Sequence, residues 1–267
     1  MIEHLITRQW YGQPTWVKLF LPLTYLYRFG MMFRRFLYRT GHFKTHKLNV
    51  PVWVVGNITT GGNGKTPFVI ALAELLSHHG YKPGVISKGY KGTKVTHEPQ
   101  LVLPQSNPVE VGDEPVVIAR NCACPVAVCT NRVIAATYLI QQHGCTILLT
   151  DDGYQDYSLE RDVSIILVDE QKRFGNGYQL PSGPLRESIT TLNIANLIVY
   201  KANDSSEHPH DHTFHLEIEG IYSCQRPDIR INPALLKQKR VVAVAGIANP
   251  NSFFSALEKI GLAFTPL

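Results

Sequence analysis

Short apolar runs alternate with longer, partly apolar segments along most of the chain. Residues 52–55 form a β-branched run typical of a buried parallel strand, and residues 68–76 have the length and apolar content of a helix that follows it. Similar runs predict further strands at residues 85–87, 146–149, 163–168 and 197–201. Strands that alternate with helices predict an α/β fold built on a doubly wound, mostly parallel sheet.

Composition and pattern divide the chain into four parts. These are residues 1–47, a basic and aromatic arm; residues 48–203, which hold the strand and helix alternation; residues 204–224, a linker with an edge strand; and residues 225–267, the start of a second, smaller α/β domain. Residues 241–245 and 251–260 predict one strand and one helix in that last part. We expect this domain to be truncated, because one strand and one helix cannot complete a sheet. Residues 93–110 are predicted to be a surface excursion without a core pattern.

The N-terminal arm combines apolar and aromatic residues with basic ones. Residues 1–47 hold eight Lys/Arg against a single Glu, although the net charge of the whole chain is only +5. The longest charge-free run, residues 19–27, is shorter than the roughly 20 residues that a transmembrane helix needs. In a helix, Arg28, Arg35 and Arg39 share one face. This amphipathic pattern predicts a helix that lies in an anionic membrane interface, and the alternative is a helix packed on the protein's own core.

The size and the cysteines limit the class of protein. With 267 residues and 44% hydrophobic content, the chain is globular and can bury one large core and a smaller one. Three of its five cysteines, Cys122, Cys124 and Cys129, lie close together. No Cys/His pair follows at the spacing of a zinc site, so reduced thiols are predicted.

A glycine-rich turn between the first strand and its helix predicts a P-loop. Its glycines let backbone N–H groups converge on an anion, where the helix dipole also favours negative charge. We expect Lys65 to reach the β- and γ-phosphates and Thr66 to place its hydroxyl on Mg²⁺. The strict motif has glycine where Thr59 stands, and a glycine-rich connector with an incidental lysine is the alternative. The candidate nucleotide-binding residues are Thr59, Thr60, Gly61, Gly62, Asn63, Gly64, Lys65 and Thr66.

Other polar residues lie at predicted strand ends or in loops. An apolar run ends in Asp151 and Asp152, which with Thr66 are the predicted Mg²⁺ ligands; solvated turn acids are the alternative. A loop rich in Gly and Pro then delivers Arg186 and Glu187, which either face phosphate and metal or pair with each other.

Seven segments, in this order, resemble the tetraacyldisaccharide 4′-kinase family, the lipid A pathway kinases of Gram-negative bacteria. The segments are Gly56-Asn57 with Gly61-Gly62-Asn63-Gly64-Lys65-Thr66-Pro67, Ser87-Lys88-Gly89-Tyr90, Gly112-Asp113-Glu114-Pro115, Asp151-Asp152-Gly153-Tyr154-Gln155, Leu159-Glu160-Arg161-Asp162, Leu180-Pro181-Ser182-Gly183-Pro184-Leu185-Arg186-Glu187 and Ala245-Gly246-Ile247-Ala248-Asn249-Pro250. The resemblance makes residues 48–203 a P-loop NTPase-like kinase domain. It implies ATP- and Mg²⁺-dependent phosphorylation of the 4′-hydroxyl of a tetraacylated glucosamine disaccharide 1-phosphate.

The resemblance also implies roles for individual residues and partners. It makes Asp113 the catalytic base. It places Lys65, Arg132, Arg186 and Glu187 in the active site and Lys88, Tyr90 and Gln155 near the acceptor. The expected partners are the membrane lipid substrate and the anionic surface of the inner membrane, with the protein peripheral on the cytoplasmic face. No nucleic-acid partner is expected, and the oligomeric state stays open.

Three features depart from the pattern of the family it resembles. Lys88 stands where the family usually has arginine, and Asp156 stands where it usually has histidine. The chain also ends before the Phe-Pro-Asp-His-His type segment of the family, so reduced or absent activity stays open as an alternative. Two alternatives therefore stay open: an inactive nucleotide- or lipid-binding remnant, and a membrane-associated deviant-Walker ATPase or GTPase switch. The switch class carries a signature lysine where Thr60 stands.

Overall fold

A computed structural model of the chain describes residues 2–202, 212–226, 228–247 and 250–267. The chain divides into two units, Met1–Phe214 and His215–Leu267. This division falls earlier than the domain start predicted near residue 225, and it directly follows Thr213 and Phe214 in the edge strand of the first unit's sheet. Residues 203–211, which contain much of the predicted linker, lie outside the described residues.

The first unit is built on an eight-stranded sheet, and this confirms the predicted α/β fold. In spatial order the strands are β3 (Gln100–Val102), β4 (Val126–Val128), β2 (Pro83–Ser87), β5 (Ile147–Asp151), β1 (Val52–Gly56), β6 (Val163–Asp169), β7 (Leu197–Ala202) and β8 (Thr213–His215). Neighbouring strands from β4 to β7 pair in parallel, and β3 pairs antiparallel to β4. The register aligns Val55 with Asp151, so the strand ends that carry the candidate site lie side by side.

The helices of the first unit cover both faces of this sheet or form the N-terminal arm. They are α1 (Ile2–Tyr11), α2 (Leu21–Arg39), α3 (Lys65–His78), α4 (Pro108–Val111), α5 (Asp113–Asn121) and α6 (Arg132–His143), with 3-10 helices at Trp16–Phe20 and Ile189–Ile194. Successive strand residues point to opposite faces. Val55 therefore packs in one apolar layer with α3 and α5, while Val54 packs in the other with α6. Two buried layers around one sheet are the doubly wound arrangement that the sequence predicts.

One strand lies in the segment that was predicted to be a surface excursion. Residues Gln100–Val102 form β3 at the sheet edge, and Val102 is buried. The prediction was wrong for these residues because a three-residue strand is too short to show the alternation that identifies one.

The prediction of reduced thiols is wrong for one pair of cysteines. Cys122 and Cys124 form a disulfide between α5 and β4, because the intervening turn brings their Cα atoms to 5.3 Å. Cys129 and Cys145 are buried free thiols, and Cys224 is an exposed one.

The described residues of the second unit form short strands and two helices. They are β9 (Ile221–Tyr222), β10 (Arg230–Ile231), α7 (Pro233–Leu236), β11 (Val242–Ala243), α8 (Pro250–Lys259) and β12 (Thr265–Pro266). The predicted strand and helix correspond to β11 and α8. Strand β11 pairs in parallel with β12, and its Ala243 packs with Leu257 and Leu262 in a small core.

Helix α2 has two chemically different faces. Its inner face carries Thr24, which is buried and donates to Ser182 Oγ at 2.8 Å. Its outer face leaves aromatic side chains exposed, including Phe29 at 66% and Phe33 at 52%. Within the residues that the structure describes, no helix combines the length and apolarity needed to cross a membrane.

Candidate active site

A glycine-rich loop connects β1 to α3 and is shaped to receive an anion. Gly61 has φ 108° and Gly64 has φ 75°, left-handed values that residues with side chains rarely adopt. A Cβ atom on Gly64 would also lie 3.2 Å from the ring of Phe214. The backbone N–H groups of residues 61–64 make no hydrogen bond within the described part of the chain. Unpaired N–H groups just ahead of a helix N-terminus fit a phosphate.

The first residues of the loop are held by the protein itself. Thr59 Oγ1 accepts a hydrogen bond from Asn63 Nδ2 at 2.9 Å, and both residues are buried. The backbone N–H of Thr60 donates to the carbonyl of Pro184 at 2.8 Å. Of the predicted nucleotide-binding residues, Thr59 and Thr60 therefore support the loop, while the N–H groups that follow stay open to a ligand.

Lys65 lies among polar partners at the carboxyl edge of the sheet. Its Nζ donates to Asn57 Oδ1 at 3.2 Å and lies 3.4 Å from Asp152 Oδ1. Arg186 Nη1 also binds Asp152, at 2.9 Å from Oδ2 and 3.2 Å from Oδ1. Burial alone would raise the pKa of Asp152, but the charges of Lys65 and Arg186 hold it below its ordinary value. Asp152 is therefore an ionised partner of both cations.

Asp151 makes different contacts from its neighbour. Thr66 Oγ1 donates to Asp151 Oδ2 at 3.3 Å, as the predicted pairing of loop and strand end requires. The second oxygen, Oδ1, is buried and has no hydrogen-bond partner in the described part of the chain. Burial first, and then the carboxylate of Glu114, raise the pKa of Asp151 to about 6.

Glu114 is a site residue that the sequence analysis did not single out. Partial desolvation is the main cause that raises the pKa of its carboxyl, and the charges of Asp152 and Asp113 add to it, while Lys65 lowers it. The Glu114 carboxyl is therefore coupled electrostatically to Lys65 and to both strand-end acids. Its position directly after Asp113, in a segment already singled out, was the available signal. Asp113 itself is exposed at the start of α5, and its Oδ1 accepts the backbone N–H of Glu114 at 3.0 Å.

The oxygen atoms of this site fit Mg²⁺. Mg²⁺ prefers hard oxygen ligands and is usually held by one or two carboxylates together with substrate phosphates. The unpaired, buried Oδ1 of Asp151 is such a ligand, and the Thr66 hydroxyl lies beside the same carboxylate. Asp152, the other predicted metal ligand, is already engaged by Lys65 and Arg186.

Arg132, a predicted active-site residue, is buried and holds the backbone of the two strand-end acids. Its Nη2 donates to the carbonyl of Asp151 at 3.0 Å and to that of Asp152 at 2.9 Å. Its Nη1 pairs with Asp156 Oδ2 at 3.1 Å. Arg132 therefore positions the acids and is itself anchored by Asp156.

Lys88 and Asp156 meet in this network. Lys88 Nζ lies 3.1 Å from the Asp156 oxygen that also binds Arg132. Ser158 Oγ donates to the other oxygen at 2.6 Å. Burial alone would raise the pKa of Asp156. The Ser158 hydrogen bonds and the charges of Arg132 and Lys88 instead hold this pKa well below its usual range. The charge that Asp156 introduces is therefore neutralised locally by these two cations.

Glu187 lies next to Arg186 in the chain but points to α2. Its buried carboxylate pairs with Arg35 at 2.9 Å and accepts from Tyr157 Oη at 3.2 Å. Arg186 and Glu187 thus do not pair with each other. Arg35, predicted on the face with Arg28 that meets lipid headgroups, instead points inward because the buried Glu187 carboxylate requires a cation.

The remaining predicted substrate residues lie near the same edge. Gln155 Nε2 donates to the backbone carbonyl of Asn57 at 3.1 Å. Tyr90 is exposed, with Lys91 Nζ 5.5 Å from its ring centroid. Gln155 is therefore tied to the loop, while the Tyr90 ring stays accessible.

Comparison with known sequences gives consistent matches over nearly the whole chain. The sequence model of the family described as Tetraacyldisaccharide-1-P 4′-kinase matches residues 16–266. A tetraacyldisaccharide 4′-kinase of Tolumonas auensis is 41% identical over 260 residues, which cover 97% of this chain and 77% of that protein. One of Coxiella burnetii is 42% identical over 240 residues, which cover 90% of this chain and 69% of that protein.

The fold is similar to a solved structure as well. That structure is LpxK from Aquifex aeolicus, described as the "apo" form in complex with ATP, and it aligns with a TM-score of 0.78 and 27% sequence identity. The alignment covers 95% of this chain and 82% of the other.

Proposed function

The chain belongs to the tetraacyldisaccharide 4′-kinase family, and from that membership we propose how its own residues carry out the reaction. It is an ATP- and Mg²⁺-dependent lipid kinase of lipid A biosynthesis, which transfers the γ-phosphate of ATP to the 4′-hydroxyl of a tetraacyldisaccharide 1-phosphate. Family membership decides against the deviant-Walker switch. The observation that carries the mechanism is the meeting of Lys65, Thr66 and Asp151 at one edge of the sheet.

The loop and the strand-end residues have separate tasks in this proposal. The N–H groups of residues 61–64 and the Nζ of Lys65 bind the β- and γ-phosphates. Thr66, Asp151 and Glu114 would hold Mg²⁺, and the bound metal would neutralise charge on the phosphate oxygens. Asp152 fixes Lys65 and Arg186 so that both cations are in place before the transfer begins. Fixed cations stabilise the charge that develops in the transition state.

Asp113 is the proposed base for the acceptor hydroxyl. Its exposed position at the start of α5 leaves the carboxylate accessible to a substrate, and its neighbour Glu114 is coupled to Lys65 and to Asp151. In this proposal Glu114 faces the metal, and its neighbour Asp113 faces the acceptor.

Replacing Asp113 with asparagine should lower kcat by about 10²-fold, because a positioned base contributes roughly that much to proton transfer. The KM for ATP should stay within a few-fold, since Asp113 makes no hydrogen bond or ion pair with residues 59–66 in the part of the chain that the structure describes. The measurement is transfer of labelled phosphate from γ-labelled ATP to purified tetraacyldisaccharide 1-phosphate in detergent. Full turnover by Asp113→Asn would exclude Asp113 as the base. Glu114→Gln is the matched control, and it should raise the Mg²⁺ concentration needed for half-maximal activity.

We further propose that α2 holds the protein peripherally at the cytoplasmic face of the inner membrane. The proposal is supported by the outer face of α2, where Leu26, Phe29, Phe33 and Phe36 are all more than half exposed. A contiguous exposed apolar stripe is unusual for a soluble surface. The basic excess of the N-terminal arm would add attraction to anionic lipids.

The double variant Phe29→Ser/Phe33→Ser should bind anionic vesicles more than about 100-fold more weakly, because each buried Phe contributes roughly 1.5–3 kcal/mol and every 1.4 kcal/mol is about tenfold. Its melting temperature should be unchanged, since both rings are exposed in the folded protein. Vesicle sedimentation measures the binding. Leu75→Ser, which removes an exposed apolar side chain from α3, is the control and should bind as the wild type does. Equal sedimentation of all three proteins would contradict the docking role of α2.

A further inference from the structure

Three arginines surround the ring of Tyr157, outside the nucleotide site. The guanidinium carbon of Arg161 lies 5.3 Å from the ring centroid, and those of Arg34 and Arg35 each lie 5.9 Å from it. Arg161 also lies 4.7 Å from the centroid of Tyr154, which is buried. Stacking on aromatic faces holds a guanidinium in place without using its N–H donors.

The positive charge of this cluster is only partly neutralised. Glu187 pairs with Arg35, whereas Arg34 and Arg161 make no hydrogen bond or ion pair with any residue the structure describes.

The two acids on either side of Arg161 are engaged elsewhere. Glu160 binds Lys47 at 3.2 Å, and the Asp162 carboxylate accepts the backbone N–H of Val52 at 2.8 Å. Both Arg34 and Arg161 remain partly accessible. Two positioned guanidiniums with unused donors suit an anion that accepts several hydrogen bonds, and phosphate is the anion that their planar forks match best.

The cluster lies on the α2 side of the active site. Glu187 directly follows Arg186, which binds Asp152 beside Lys65, and Arg34 belongs to α2. The acceptor carries a phosphate on position 1, at the opposite end of the disaccharide from the 4′-hydroxyl that reacts. A phosphate held near α2 would therefore leave the other sugar directed towards the loop.

We propose that Arg34 and Arg161 bind the 1-phosphate of the acceptor and so fix which end of the disaccharide reaches the nucleotide. The proposal rests on the acceptor being a tetraacyldisaccharide 1-phosphate. Anionic phospholipid headgroups offer the same phosphate chemistry, and the experiment separates the two sources.

The test compares two acceptors, tetraacyldisaccharide 1-phosphate and the same lipid without its 1-phosphate, in neutral detergent micelles. For the phosphorylated acceptor, Arg34→Gln and Arg161→Gln should each raise KM by at least about tenfold, because each variant loses charge-assisted hydrogen bonds to the phosphate. The KM for ATP should not change. For the dephosphorylated acceptor, wild type and variants should have the same high KM.

Two controls keep the result interpretable. Arg161→Lys retains the charge and the stem that covers Tyr154, so it should give an intermediate KM even if Arg161→Gln folds poorly. Lys82→Gln removes an exposed lysine just before the amino end of β2, and it should change neither KM.

An equal penalty for both acceptors would overturn the proposal and leave the arginines with a packing role only. It would also be overturned if the variants lost binding to anionic vesicles while keeping the wild-type KM in neutral micelles, since that result assigns them to bulk headgroups. If the wild type labels neither acceptor, the proposed function fails. If it labels both with the same KM, only the 1-phosphate site fails.

Discussion

Replacing Lys65 with methionine should lower kcat by about 10³-fold, the loss expected when a preorganised transition-state cation is removed. Lys65 is almost enclosed, with only 12% of its side chain exposed, and it lies between Asn57 and Asp152 at 3.2 and 3.4 Å. Water cannot replace an enclosed ammonium that is aimed at the phosphates. The effect is measured as transfer of labelled phosphate at saturating ATP.

The fold should survive this substitution, because Asp152 keeps its ion pair with Arg186 at 2.9 Å. Lys82→Met is the matched control: it removes an exposed lysine just before the amino end of β2 and should retain wild-type activity. A Lys65→Met variant with activity within a few-fold of the wild type would show that Lys65 does not stabilise the transferred γ-phosphate.

Replacing Asp151 with asparagine should abolish most activity and yet stabilise the protein in the absence of ATP and Mg²⁺. The pKa of Asp151 is raised from its ordinary 3.8 to about 6 by burial and by Glu114. The folded state therefore binds this proton more tightly than the unfolded state does. At neutral pH the buried carboxylate costs roughly 2–3 kcal/mol of unfolding free energy, which asparagine does not incur.

The gain has a defined pH dependence. The stability advantage of Asp151→Asn over the wild type should be complete above pH 6. It should shrink as the pH falls from about 6 to about 4, because the folded wild type then takes up the proton. Thermal unfolding of the ligand-free proteins across this range measures it. Activity should fall by roughly 10²–10³-fold, since the metal loses a charged ligand. Lower stability of Asp151→Asn at pH 7 would show that the buried carboxylate, with its unpaired Oδ1, does not destabilise the fold.

Asp156→Asn is the control with the opposite sign. The pKa of Asp156 is held well below its usual range by Ser158, Arg132 and Lys88, so its carboxylate stabilises the fold. That substitution should lower the melting temperature at neutral pH, and the difference should diminish in acid.

The sequence was sufficient for the parts of the fold that depend on local pattern. The run at residues 52–55, the glycine turn and the apolar segment at 68–76 each carry their own signal, and the structure has them as β1, the loop and α3. The three-residue β3 carries too few residues for a period to appear. Its pairing with β4 depends on distant residues.

Contacts in the candidate site could be predicted only where a sequence motif implies which residues meet. The Gly-Lys-Thr turn and an apolar strand ending in two acids imply that Thr66 meets Asp151. Arg186 pairs with Asp152 and leaves Asp151 with an unpaired oxygen, but Arg186 is 34 residues from Asp152 in the chain. The inward turn of Arg35 depends in the same way on a carboxylate, Glu187, that is 152 residues away. Such long-range charge pairs leave no periodic trace in the sequence.

The most direct test of the mechanism is a single labelling experiment with three proteins. Wild type, Lys65→Met and Asp113→Asn are incubated with γ-labelled ATP, Mg²⁺ and tetraacyldisaccharide 1-phosphate, and the label in the lipid is counted and located. We expect label on the 4′-oxygen with the wild type, and strongly reduced label with both variants although Asp113→Asn still binds ATP. Wild-type protein that binds ATP but leaves the lipid unlabelled would contradict it.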